Sequence, residues 1–182
     1  CSEMPRKGVA QGKPNKKKYT ELKEQQKRAL EMNLQLPKNP QQSDEDRLAF
    51  HMCETGESVS YGQLDSRANQ VAQVLRSCGV ASGDHIAVLM KNHRRLVEAC
   101  FGGDRAGVYY TTISTRLLAQ EIAYIVKDCG ARLLVVSSDL GALLVQLRPL
   151  LPQGLRCFSV GERVPGFESW ESAVDNASTA PT

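Results

Sequence analysis

The sequence predicts an α/β fold: a doubly wound, mostly parallel open sheet flanked by helices. Two observations carry this prediction. Four short apolar runs, HIAVLM (85–90), VYYT (108–111), LLVV (133–136) and LRCFSV (155–160), start at intervals of 22 to 25 residues, a spacing that suits strand–helix–strand crossovers better than hairpins. Between them lie amphipathic stretches of helical length, each ending at glycine or proline. Strands that are apolar on both faces must be covered on both faces, and right-handed crossovers place helices there. Strand order does not follow from the runs.

Taken along the chain, order begins near Arg47. Leu48–Cys53 and Ser58–Val59 flank ETGE, where Gly56 can supply a tight turn, so a short hairpin is expected. In SYGQLDSRANQVAQVLRSCGV, Ser60 with Gln63 three residues on makes a capping-box pattern. Leu64, Ala68, Val71, Ala72, Leu75 and Cys78 then recur every three or four residues as a buried stripe, leaving Asp65, Arg67, Gln70, Gln73 and Arg76 to water. Gly79 sits where a helix exits through a left-handed residue. Three more helices are expected at Arg94–Ala106, Leu117–Asp128 and Asp139–Arg148, with Asn92 capping the first and Ser137-Ser138-Asp139 capping the third. Gly107 and Gly130 close the first two, and Pro149 stops the last. Ile122, Ile125 and Val126 face inward. Tyr109 and Tyr110 alternate across their strand, one toward each layer. Trp170 to Val174 forms a short amphipathic turn before ASTAPT trails off in small polar residues.

Charge divides the chain. The first forty residues carry ten Lys/Arg against four Asp/Glu, and the remainder thirteen against sixteen, so the overall +3 averages a basic front and a mildly acidic body. Residues 1–45 read as a basic, largely disordered extension with a short helix at 20–33, residues 46–175 as the folded domain, and 176–182 as a tail or cut end. The basic run lacks aromatic interleaving and a folded recognition element, so a solvated tail is favoured over contact with nucleic acid or membrane, or a helix packed elsewhere. Six scattered cysteines without a CxxC pair suit buried free thiols in the cytoplasm or another reducing compartment. No run approaches the roughly 18 apolar residues of a transmembrane segment, and no signal-peptide pattern is present. A first residue of Cys rather than Met suggests a lost beginning.

Chemistry is sparse. FGGDRAG holds Gly102, Gly103 and Gly107 inside or at the end of a helix, whereas a phosphate-binding fingerprint must follow a strand and open one, so close helix packing is the expected use. There is no GxSxG and no nucleophile beside His51, His85 or His93, and no catalytic residue is assigned. No His or Cys stands at metal-ligand spacing. Two groups remain as candidates. Arg94 and Arg95, at a helix start, are candidate anion-facing residues. Thr111, Thr112 and Ser114, at the C-terminal edge of a strand, are candidate substrate-adjacent residues, because open α/β sheets bind ligands there.

The ordered combination YGQLD, GVASGD, the Asn after the following strand, RAGVYY and EIAYIVKDCGAR resembles the N-terminal portion of the adenylate-forming (AMP-binding) acyl-CoA synthetase family, over about Asp46 to Asp175. The resemblance implies part of that enzyme family's large N-terminal domain. It further implies a full-length ligase that uses ATP and magnesium to turn a small carboxylate, here a fatty or other hydrophobic acid, into an acyl-adenylate and passes the acyl group to coenzyme A. The family's Ser/Thr/Gly-rich phosphate loop ending in Lys, and its catalytic Lys, have no counterpart in this sequence. A fragment that is inactive alone and binds none of these cofactors tightly is therefore expected. YYTTIST departs from the family pattern, which carries Pro and Asn where Thr112 and Ser114 stand. The alternatives are a non-enzymatic interaction protein whose basic arm binds an acidic partner, and a flavodoxin-like binding module.

Overall fold

The computed structural model describes residues 44–181. The basic arm and the helix expected at 20–33 lie outside them. A hairpin comes first: β1 (Leu48–Met52) and β2 (Glu57–Ser60) pair antiparallel, with Gly56 turning the chain at φ 72°. Ser60 then caps α1 (Tyr61–Ser77). Its hydroxyl accepts from the Gln63 N–H while the Gln63 side chain accepts from the Ser60 N–H, which satisfies two donors that a helix start leaves open.

The crossover reading holds for the rest. β3 (His85–Leu89), α2 (Arg94–Ala106), β4 (Tyr109–Thr112), α3 (Ala119–Asp128), β5 (Ala131–Ser137), α4 (Gly141–Leu147), β6 (Arg156–Val160), β7 (Glu168–Ser169) and α5 (Trp170–Asp175) follow in turn. The five strands from β3 to β7 form one parallel sheet in the order β4-β3-β5-β6-β7. On one face α1, α2 and α5 bury Val71, Leu75, Ile86, Val88, Val135, Phe158 and Trp170; on the other, α3 and α4 bury Leu89, Ile122, Val126, Leu134, Leu144 and Leu147. Alternate residues of β3 and β5 feed opposite layers, as strand geometry requires. No helix among the described residues is long and apolar enough to cross a membrane.

The glycines of α2 do what a small residue in a helix face does. A Cβ on Gly102 would run into the Val71 side chain of α1, and one on Gly103 would come within 3.2 Å of the Tyr110 ring. Gly102 lets α1 and α2 pack closely, and Gly103 lets α2 lie close on β3 and β4.

Several local expectations are corrected. Asn92 does not cap α2; the cap is His93, whose Nδ1 accepts from the Arg95 N–H at 3.1 Å. Ser138 does not cap α4; its hydroxyl accepts from the Glu162 N–H at 2.9 Å and so ties the end of β5 to the loop after β6. Gln70 is buried, not wet. Neither Tyr109 nor Tyr110 packs inside: β4 is the edge strand, both rings are exposed, and Tyr109 stacks on His85 with centroids 4.9 Å apart. The stretch after α5 does not trail off. Asn69 and Gln70 of α1 donate to the Thr179 and Ala177 carbonyls, holding it along that helix.

Candidate functional site

Strand order decides where a ligand can enter. From β3 the chain crosses through α2 on one face to β4 at the edge; from β4 it crosses through α3 on the other face, past β3, to β5. The loops leaving β3 and β5 therefore diverge, and open α/β sheets bind ligands in the crevice such a divergence leaves at the strands' C-terminal ends. A cleft of about 310 Å³ lies there.

Three segments build its walls. After β3 come Lys91, Asn92 and His93; after β5 come Ser137, Ser138 and Asp139; the β1–β2 turn adds Glu54 and Thr55. Val160 and Gly161, at the end of β6, close the remaining side. Lys91 Nζ reaches Asp139 Oδ2 at 2.7 Å across the mouth. The hydrogen bond and the charge of Asp139 raise the lysine's pKa above its ordinary value, so the ammonium stays charged at neutral pH. Larger hollows lie beside Tyr61 (about 520 Å³), between Ser60 and Arg94 (about 540 Å³) and beneath the N-terminal ends of the strands at Gly83–His85 (about 570 Å³), away from the strand ends where the fold opens, and one of about 350 Å³ adjoins the cleft through Glu54, Asn92 and His93.

Arg94 and Arg95 are placed differently from simple anion donors. Both turn to the fully buried Glu98: Arg94 Nε lies 3.0 Å from one carboxylate oxygen and an Arg95 guanidinium nitrogen 2.7 Å from the other. Arg94 also meets Glu57 at 3.3 Å, and Arg95 lies 3.9 Å from Glu171. Burial works against the charged Arg94, but Glu98 and then Glu57 outweigh it and hold its pKa above the usual arginine value. An external anion would compete with these carboxylates for the same donors. Thr111 and Thr112 lie on β4, and Ser114 in the loop after it accepts from the Arg116 N–H. None of the three lines the cleft.

Sequence reasoning missed Lys91, Ser137 and Asp139 as a group. Their signal was positional: each follows an apolar strand, but only strand order shows that β3 and β5 are neighbours.

A family model described as AMP-binding enzyme matches residues 36–178. The chain belongs to the AMP-binding enzyme family. Among curated proteins, this family member is 30% identical over 122 residues to the fatty acid–[acyl-carrier-protein] ligase ScoC of Streptomyces coeruleorubidus, covering 67% of this chain and 22% of the relative. It is also 30% identical over 123 residues to the long-chain-fatty-acid–CoA ligase FadD13 of Mycobacterium tuberculosis, covering 64% and 24%. Among solved structures it is similar to the anthranilate CoA ligase AuaEII in complex with anthranoyl-AMP, with a TM-score of 0.69 and 26% identity over 75% of this chain and 26% of that one. The chain thus spans about a quarter of the length of such relatives. The fold is that of part of an adenylate-forming enzyme's N-terminal domain.

The cofactors implied by the family fit the residues of this cleft poorly. The one ammonium in the cleft is engaged by Asp139, and Glu54 and Asp139 would repel a triphosphate. Among the described residues no group of three or more His, Cys, Asp and Glu is arranged to hold a metal ion. No step through ATP, magnesium or coenzyme A is derived from these residues.

Proposed function

We propose that this chain is the opening α/β layer of an ATP-dependent ligase that activates a carboxylate as its acyl-adenylate and delivers the acyl group to coenzyme A, with a fatty or other hydrophobic acid as substrate. The observation that carries the reading is the family match over residues 36–178, joined to the likeness to a CoA ligase whose structure holds an acyl-AMP. In this reading the sheet and its helices are scaffold. They hold a wall of the enzyme, while the groups that neutralise the nucleotide's phosphates come from outside these residues.

The donor chemistry of the cleft and of the Arg94–Glu98–Arg95 cluster supports that division, since the cations in both already meet carboxylates. In-line displacement at the α-phosphate needs cationic groups free to stabilise developing charge. The purified 182-residue chain, given ATP, magnesium and a panel of carboxylates, is expected to release no pyrophosphate above background. The same assay on the product of the coding sequence extended downstream is expected to show acid-dependent pyrophosphate release. Turnover by the isolated chain would overturn the scaffold reading; an inactive extended protein would overturn the ligase reading.

A further inference from the structure

We propose that the open edge of β4 is a docking surface for a further β-strand of the same polypeptide, supplied by the part of the ligase that lies outside these residues. The inference rests on the ligase reading. Among the described residues β4 pairs with β3 alone and ends the sheet. The Tyr109 N–H donates to the Asp84 carbonyl and the Ile113 N–H to the Val88 carbonyl, both at 2.8 Å. Alternation along the strand then turns the N–H and C=O groups of Tyr110 and Thr112 to the open side. Such a row of unpaired backbone groups is a template for another strand.

Native sheets guard their free edges with short strands, charges, proline or bulges. The opposite edge is guarded: β7 has two residues, its Glu168 is held by Arg156, and α5 follows at once. β4 carries no such device. YYTT contains neither proline nor charge, its register against β3 runs without a bulge, and both residue types favour strands. Tyr109 is 63% exposed and Tyr110 38%, so aromatic side chains stand beside the unpaired backbone, ready for cross-strand contact.

The path of the chain selects the occupant. The Thr179 carbonyl accepts from Asn69, whose own side-chain oxygen accepts from Arg105, close to the end of α2. Arg105 stands just before the Gly107 exit that leads into β4. Polypeptide that continues past the last described residues therefore starts beside the helix that feeds β4, not beside β7. Relatives such as ScoC and AuaEII are matched over only 22% and 26% of their length, which leaves ample chain to supply a strand. A tethered strand also avoids the loss of translational and rotational freedom that a separate partner incurs, which suits an edge of four residues.

The test is amide hydrogen exchange, read at single residues, on the 182-residue chain and on the product of the coding sequence extended downstream. In the 182-residue chain Tyr110 and Thr112 are expected to exchange fast at every protein concentration, while Thr111 and Ile113 are protected by β3. In the extended protein both outward amides should slow by about a hundredfold or more. Thr112→Pro removes an outward donor and no bond to β3. It should leave the melting point of the 182-residue chain unchanged and return Tyr110 to fast exchange in the extended protein. If that variant does not fold, the two unsubstituted proteins decide the matter. Fast exchange at both residues in the extended protein would overturn the proposal. So would protection in the 182-residue chain that grows with concentration, because a second copy would then hold the edge. Protected amides in an extended protein that releases no pyrophosphate would sink the ligase reading alone, and pyrophosphate release with fast exchange would sink this one alone.

Discussion

Glu98 is the residue on which most local charge depends. It is fully buried yet carries two arginines on its two oxygens, and through them it reaches Glu57 in the hairpin and Glu171 in α5. A carboxylate out of water is tolerable only with such partners. Glu98→Ala would leave both guanidiniums without their shared counter-charge, and a loss of about 3 kcal/mol of unfolding free energy is expected from denaturant titration. A loss below about 1 kcal/mol would show the cluster to be solvated in solution. At the other extreme stands Cys157, where burial pushes the thiol up to about 11. The neutral form is the one the fold stabilises. Its contribution is present in full below the ordinary thiol value of 9.0 and is lost as pH rises from there to about 11. At pH 8, iodoacetamide followed by peptide mass mapping should therefore label the exposed Cys53 well before Cys157. Equal labelling would mean that β6 opens to solvent.

At the scale of elements, the tightest constraint is the crossing of α1 and α2. Val71 occupies the place a Gly102 side chain would need, so Gly102→Ala must push the helices apart, and a cost of about 1–3 kcal/mol is expected despite alanine's better helix propensity. Val71→Ala in the same chain should recover part of that loss in the double variant, a coupling that independent sites would not show. The crossing illustrates which features were legible in the sequence. The bounds of α2, the Ser60–Gln63 cap, the Gly107 exit and the buried role of the α2 glycines follow from period and punctuation, because these are local properties, whereas α3 and α4 begin two residues later than expected, at Ala119 and Gly141. The His93 cap was not legible, since Asn92 and His93 are adjacent and only the backbone chooses between them. Tyr109 and Gln70 were misplaced for a related reason. Alternation and periodicity assign a face, but whether that face is covered depends on strand order and on what the end of the chain does. Lys91 and Asp139 stand 48 residues apart in sequence, and no local pattern joins them.

At the scale of the whole molecule, the first helix and the last described residues close on each other. Asn69 donates to the Thr179 carbonyl at 2.9 Å and Gln70 to the Ala177 carbonyl at 3.0 Å, while Arg67 pairs with Asp175. Both amides are buried, and the Asn69 oxygen is already taken by Arg105 of α2. The terminal stretch therefore supplies acceptors that nothing else in the neighbourhood provides. Deleting residues 177–182 would leave two buried amide donors to find water, a penalty at the lower end of the 1–3 kcal/mol range for each because the same deletion opens the surface above them. We expect about 2 kcal/mol of destabilisation in total. Faster amide hydrogen exchange should be confined to α1 and the facing turn of α5, with β3 and β5 at the sheet centre unchanged. Unchanged exchange in α1 would show that these hydrogen bonds do not persist in solution. Uniform acceleration across the sheet would instead show that the end of the chain is part of one cooperative unit with it.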